Sequence, residues 1–358
     1  MTKFIAALVA IVIVFMGFHA FRFLSAGPGS INDKIVFEVP PGKSFHQIAT
    51  GLKKVGLISD TLSMRILAKL TRQGGHVKMG EYALNRGMTP QEILTVLTSG
   101  KSIQYPITFP EGSNIYEMAA ALEAKHFYPA EEFLKACLDK ALIHELLGVE
   151  VSSFEGYLFP ETYNLTRYTP LRDFMANMVQ NFKAAYTEVE NQAKAESVQP
   201  PMSRHELVIL ASMVEKETGA PEERPMIAAV FYNRLAKGIK LQSDPTIIYG
   251  AWDETGQYKN NITKEDLTRP NRYNTYTVPK LPWGPISNPG RESLRAVMKP
   301  AHSDYLFFVS HNDGTHAFTK TYEEHTRAVK AYQLNPAARE GKSWRDLKKR
   351  VETGSTDH

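Results

Sequence analysis

Cysteine is nearly missing from this 358-residue chain: Cys137 stands alone, so no intramolecular disulfide can form. It falls in an apolar helical pattern with Phe133, Leu134 and Leu138, which predicts a buried, inert thiol and not a nucleophile. The sequence has no Cys-x-x-Cys, no His-Glu-x-x-His and no His cluster at metal spacing, so no metal site is expected. It also lacks Gly-x-Ser-x-Gly, the phosphate-cradling Gly-x-x-x-x-Gly-Lys and a dinucleotide fingerprint, which removes the main support for serine hydrolases, kinases and dehydrogenases. The net charge of +4 is small and its basic residues are dispersed, which weighs against a nucleic-acid partner. No solenoid-type repeat is present. What survives is acid-driven chemistry that needs no cofactor.

The longest apolar run lies at the start. Phe4 to Phe18 is unbroken, and with His19 and Arg22 admitted near its end the stretch reaches Leu24, about the length that crosses a bilayer. A cleaved signal peptide would need a small-residue site, which Ser25-Ala26-Gly27 offers, but Arg22 is a poor neighbour for one. An uncleaved single-pass anchor with the body of the chain exported is therefore the favoured expectation.

The remainder reads as an α+β protein. Residues 1–24 form the transmembrane anchor and 25–33 a short flexible linker. Residues 34–102 form a small α+β module, 103–338 a larger mixed α/β domain, and 339–358 a polar, basic tail. In the module, Lys34 to Val39 alternates as a strand. Ser44 to Val55 and Leu62 to Thr71 are helices, the second with Asp60 as N-cap. Gly80 to Leu84 is a strand, and Thr89 with Glu92 forms a capping box that opens a helix through Leu97. In the larger domain a strand from Gln104 to Phe109 precedes helices over Ile115–Lys125, Pro129–Leu138 and Leu171–Ala195. Asn312-Asp-Gly314 marks a hairpin between Tyr305–Val309 and His316–Thr319.

The most informative segment is Leu207-Val-Ile-Leu-Ala-Ser-Met-Val-Glu-Lys-Glu217, an apolar helix ending in two acids. Ser203 and Glu206 cap its start and Gly219 supplies its stop. Carboxylates at the end of such a helix cost free energy unless paired, solvated or used. Desolvation and the negative end of the helix dipole both favour the protonated form, which a general acid requires. Glu215 and Glu217 lie at opposite edges of the apolar stripe, so periodicity does not choose between them. A pair of surface acids, one salt-bridged to Lys216 or Arg224, accounts for the helix equally simply.

Pro221 then opens a helix, Glu222 to Lys237, closed by Gly238. The segments that follow, Lys240–Gly250, Arg272–Thr277 and Pro282–Gly290, read as loops dense in Tyr, Trp, Asn, Gln and Asp. Such residues stack on sugar faces and bond hydroxyls, although core packing and turn chemistry explain part of them.

Several long motifs, in order and across nearly the whole chain, resemble the MltG (YceG-like) endolytic murein transglycosylase family. They are Glu155-Gly-Tyr-Leu-Phe-Pro-Glu-Thr-Tyr163, Val214-Glu-Lys-Glu-Thr218, Phe231-Tyr-Asn-Arg-Leu235, Leu241-Gln-Ser-Asp-Pro-Thr-Ile-Ile-Tyr-Gly250, Tyr273-Asn-Thr-Tyr-Thr277 and Asn288-Pro-Gly290. The segment from Pro41 to Ala49, with Gly56-Leu-Ile58, is similar to that family's LysM-like submodule. The resemblance implies an enzyme that cleaves the β-1,4 bond between N-acetylmuramic acid and N-acetylglucosamine without water. The product would be a 1,6-anhydro end, and the cut would terminate nascent glycan strands. It makes Glu217 the catalytic acid.

The implied cleft contacts are Gln242, Asp244, Asn274 and Tyr276, with Glu155 and Glu161 as lesser candidates or structural acids. The implied partners are peptidoglycan strands and penicillin-binding synthases of the elongation machinery. The implied location is a bacterial inner membrane with the catalytic domain in the periplasm. Two other readings stay open: a hydrolytic muramidase pairing Glu217 with Asp244 or Glu161, and an anchored glycan-binding scaffold without activity.

Overall fold

A 24-residue helix, α1 (Thr2–Ser25), opens the computed structural model, which describes residues 2–217, 220–259 and 261–335. Within α1, Ala7–Ser25 is long and apolar enough to cross a membrane. Among its described side chains all are exposed but one: Phe23 is buried in the core of the module that follows.

That module pairs β1 (Lys34–Val39) antiparallel with β2 (Gly80–Asn85), from Lys34 opposite Asn85 to Val39 opposite Gly80. Period-two alternation turns Phe37 and Val39 inward and leaves Val36 in solvent. Between the strands run α2 (Phe45–Lys54) and α3 (Thr61–Leu70), and α4 (Pro90–Ser99) follows β2. Local chemistry fixes each start. Ser44 and Thr89 form reciprocal capping boxes with Gln47 and Glu92, and Asp60 accepts from the Ser63 N–H at 2.7 Å. Ile48, Leu52, Leu57, Met64, Tyr82, Leu84, Ile93, Leu94 and Leu97 fill the core. Each such aliphatic side chain contributes roughly 1.5–3 kcal/mol by leaving water. Residues 25–33 are laid down against the end of β2, where the Gly29 N–H donates to the Arg86 carbonyl at 3.0 Å.

The chain divides into two compact units, one running to Ile107 and including Tyr163–Pro170, the other comprising Thr108–Thr162 and the chain from Leu171 on. A two-stranded sheet joins β3 (Tyr105–Thr108) to β4 (Thr162–Leu165). The second unit is mostly helical. Its helices are α5 (Ile115–Ala124), α6 (Ala130–Cys137), α7 (Lys140–Leu147), α8 (Leu171–Ala195), α9 (Arg204–Glu217), α10 (Arg224–Ala236), α11 (Asp244–Thr255), α12 (Lys264–Thr268) and α13 (Arg291–Met298). The hairpin β5 (Phe307–Ser310) and β6 (His316–Thr319) and helix α14 (Tyr322–Val329) complete it. Helices α8, α9, α10 and α13 pack on one another. α9 is buried on all sides from Leu207 to Glu215, so its composition reports a central helix and not an amphipathic one.

Helices α7, α11, α12, α13 and α14 go beyond the sequence reading. α7 rests on Asp139, whose carboxylate accepts from the N–H groups of Ala141 and Leu142, in a stretch too short for a clear period. α11 occupies most of the segment read as a loop. Its Asp244-Pro245 start looks like a turn, but proline is well tolerated in a first helical turn, and Ile247 and Tyr249 then bury. The stop read at Gly219 and the tail from Arg339 lie outside the described residues.

Candidate active site

Helix α9 is started by the Ser203–Glu206 capping box, in which the Ser203 N–H donates to Glu206 at 2.8 Å. The helix then delivers its two acids to different surroundings. Glu215 is buried and fully engaged: Arg224 Nη2 donates to Oε1 at 3.0 Å and the Gly290 N–H donates to Oε2 at 2.9 Å. A β-carbon at position 290 would lie 1.9 Å from Glu111 Oε1, so a larger residue there would have to displace the Glu111 side chain. Glu215 is thus a structural acid, tying the end of α9 to the start of α10 and the Asn288-Pro-Gly290 turn.

Glu217 faces a pocket of about 380 Å³ lined by Arg234, Leu241, Gln242, Asp244, Tyr276, Phe307, Phe308, Tyr322 and His325. Solvent reaches part of the residue, yet its carboxyl is enclosed by protein. Desolvation pushes that carboxyl up to about 7, helped by the nearby negative charge of Asp244 and opposed by the Ser243 hydrogen bond and Arg234. Ser243 Oγ donates to Glu217 Oε1 at 2.5 Å. Ser243 is itself fixed: its N–H donates to Thr275 Oγ1 at 2.9 Å, and its carbonyl accepts from Thr246 Oγ1 at 2.6 Å.

Arg234 is the organiser of the wall. Its Nε donates to the Leu306 carbonyl at 2.6 Å, and Nη1 donates to the carbonyls of Lys240 and Leu241 at 2.9 Å and to Gln242 Oε1 at 3.2 Å. Its guanidinium also lies over the Phe307 ring, 5.0 Å from the centroid. Gln242 adopts φ of +53°, a left-handed conformation that costs a non-glycine residue about 1–2 kcal/mol and is held here by these contacts. Tyr276 donates its hydroxyl to Asp244 Oδ1 at 2.7 Å, and its pKa is raised by burial and by that carboxylate. His325 stacks on Phe307 with ring centroids 5.1 Å apart, and burial holds its imidazole toward the neutral form.

Four of the residues chosen from sequence therefore meet in one pocket: Glu217, Gln242, Asp244 and Tyr276. Three do not line it. Asn274 is buried, with its amide donating to the carbonyls of Asp266 at 3.0 Å and Arg269 at 2.9 Å while its Oδ1 accepts from the Tyr276 N–H, so it shapes the loop that carries Tyr276. Glu155 is fully buried and accepts from the Ile115 N–H, Tyr249 hydroxyl and Asn288 amide at 2.9–3.0 Å. Burial raises its pKa to about 8 against the opposing hydrogen bonds from Ile115 and Tyr249. Glu161 is exposed and accepts from Asn181 Nδ2 at 3.0 Å. Sequence reasoning passed over Ser243, Arg234, Phe307, Phe308, Tyr322 and His325. Arg234 had a visible signal, a cation within the otherwise apolar face of α10. Phe307 and Phe308 arrive on β5 and Tyr322 and His325 on α14, far along the chain from Glu217, and sequence offers no cue to that proximity.

An enclosed carboxyl held by one serine, beside a guanidinium, a second acid, one amide and several rings, is a geometry suited to proton transfer. Residues 37–331 match the sequence model of the YceG-like family, and the chain belongs to that family. It is 34% identical over 309 residues to the endolytic murein transglycosylase of Bacillus subtilis, a match covering 82% of this chain and 83% of that protein. It is 28% identical over 352 residues to the protein of the same name from Streptococcus pneumoniae, covering 87% of this chain and 62% of its longer relative. The crystal structure of a yceG-like protein from Listeria monocytogenes superposes with a TM-score of 0.55 at 30% identity, covering 83% of this chain and 99% of that one.

Proposed function

We propose that this chain is a membrane-anchored endolytic transglycosylase of peptidoglycan that cuts the N-acetylmuramic acid–β-1,4–N-acetylglucosamine bond and leaves a 1,6-anhydro end. The observation that carries the reading is Glu217, a carboxyl held near pH 7 in a pocket of rings and hydrogen-bonding side chains. Names of relatives at 34% and 28% identity support the same substrate.

The chemistry needs one acid. Protonated Glu217 gives its proton to the glycosidic oxygen as the bond from that oxygen to C1 breaks, and positive charge develops at C1. The muramyl 6-hydroxyl then attacks C1, and the Glu217 carboxylate takes the hydroxyl proton, which restores the acid. Ordinary glycosidases need a second carboxylate for water or for covalent attack. Here the nucleophile belongs to the substrate. Ser243 orients the carboxyl, while Gln242, Asp244 and Tyr276 supply hydrogen bonds to the sugar hydroxyls and acetamido groups. Termination of nascent strands beside penicillin-binding synthases is the role this cut would serve.

The anchor reading draws support from Phe23. A signal peptide destined for removal has no reason to place a side chain in the core of the folded module. We further read residues 34–102 as a LysM-like module, on the likeness of Pro41–Ala49 and Gly56–Ile58.

Glu217→Gln on purified glycan strands tests the assignment. Loss of at least about 10²-fold in the release of anhydro-ended products is expected, the usual scale of a general acid–base group; release at near the parental rate would refute it. A second reading rests on the Asp244–Tyr276 pair, which puts another carboxylate in the pocket. Were Asp244 a base for water, products would carry one additional water by mass spectrometry.

A further inference from the structure

The outer face of α3 carries three large apolar side chains one turn apart: Leu62, Ile66 and Leu70 are 60%, 51% and 78% exposed. The inner face, Met64 and Ala68, is buried in the module. A stripe at i, i+4 and i+8 left outside a well-filled core is an unpartnered helix face. It does not stand alone. Leu62, Ile66 and Leu70 form one wall of a groove of about 410 Å³ whose other wall is α1, through Phe15, Met16 and Ala20.

Those three α1 residues fall within Ala7–Ser25, the stretch able to cross a membrane. At 1.5 Å per residue, Phe15 lies about 15 Å along the helix from Ser25, roughly half the thickness of a hydrocarbon core. With α1 as the anchor, the Phe15, Met16 and Ala20 wall of this groove faces lipid, while His19, Asp60 and Ser63 also line it. The rest of α3 agrees. It contains no acidic residue, and Arg65 and Lys69, with Arg72 just beyond its end, are exposed. Basic side chains with long stems reach out to anionic headgroups from a helix whose apolar face is immersed. Phe23, buried in the same module, holds α1 in place beside it.

We propose that α3 lies in the membrane interface alongside the anchor, with phospholipid acyl chains filling the groove between α1 and α3. The inference rests on the reading of α1 as an uncleaved anchor, and the experiment separates the two. Full-length protein carrying Ile66→Cys, Val12→Cys or Glu131→Cys is labelled with bimane and reconstituted in vesicles of phosphatidylethanolamine and phosphatidylglycerol. Native Cys137 is buried, so the introduced thiol takes the label. Emission is then quenched by acyl-chain nitroxide lipid or by aqueous iodide. Position 66 is expected to behave like position 12, losing emission to the nitroxide and not to iodide, while position 131 on exposed α6 shows the reverse. Iodide quenching at 66 with nitroxide quenching at 12 overturns the seating of α3 and leaves the anchor intact. Protection of 66 from both quenchers means that protein covers the stripe, which also overturns it. Iodide quenching at 12 removes the anchor and the proposal together.

Discussion

Ser243 donates its hydroxyl to the carboxyl of Glu217 at 2.5 Å, joining the C-terminal end of α9 to the N-terminal end of α11 across 26 positions of sequence. The bond favours the ionised carboxylate, whereas burial favours the protonated acid, and burial wins. The balance between these two opposed effects sets the pH range over which Glu217 can act as an acid.

A general acid held at about 7 is half protonated at neutral pH. Activity should therefore fall as pH rises through 7. Removing the serine hydroxyl takes away a stabiliser of the charged form, so Ser243→Ala should move that descending limb to higher pH. The pH dependence of kcat/KM for both proteins checks this; an unmoved limb would mean that the hydroxyl serves only packing.

Glu215→Gln should separate stability from catalysis. Arg224 is buried against Glu215, and removing that carboxylate charge leaves the cation only Glu111, 3.8 Å away. Breaking such a pair typically costs about 3–5 kcal/mol. Urea unfolding should show that loss, while kcat per folded molecule stays near the parental value. A variant as stable as the parent but inactive would exchange the roles of the two glutamates.

Glu155 is expected to govern part of the acid–base stability profile. Its folded pKa, about 8, exceeds the value of about 4.5 for an exposed glutamate, so the folded state binds the proton more tightly than the unfolded state. Stability from this group is fully present below pH 4.5 and declines as pH rises toward 8. Glu155→Ala should flatten this slope and lower stability overall. It would strand the Ile115, Tyr249 and Asn288 donors, each of which costs roughly 1–3 kcal/mol when buried unpaired. Denaturation midpoints at pH 5, 6.5 and 8 provide the measurement.

Asn274 and Tyr276 are two residues apart but should fail differently. Asn274→Ala strips three hydrogen bonds, one of them fully buried, from a loop and should lower Tm, with activity falling only as folding falls. Tyr276→Phe removes one hydroxyl from the pocket wall and should raise KM with little change in Tm. Equal Tm losses would make Tyr276 another scaffold residue.

The elements most legible in the sequence were those fixed by neighbours along the chain. The capping boxes at Thr89 and Ser203, and the Asp60 cap, all form as their spacing requires. β1, α8 and β6 match their read limits. The apolar helix ending in two acids was legible too, but its packing was not: whether Glu215 or Glu217 meets a cation depends on Arg224 and Gly290, which tertiary structure supplies. The same gap explains Glu155 and Asn274. A polar residue in an aromatic-rich loop reads as a ligand contact, yet a buried polar group is more often satisfied by backbone than by substrate. α11 was masked because Asp-Pro signals a turn as readily as a helix start.

Phe23 has a consequence for how the molecule is made. With its ring in the module core, α1 contributes a side chain to the packing of the module that follows it. On the proposed reading of α1 as an uncleaved anchor, insertion and folding are coupled: exchanging the helix for an unrelated apolar sequence of equal length would leave an empty place in the module core, and the module would be weakened by a change made in its anchor.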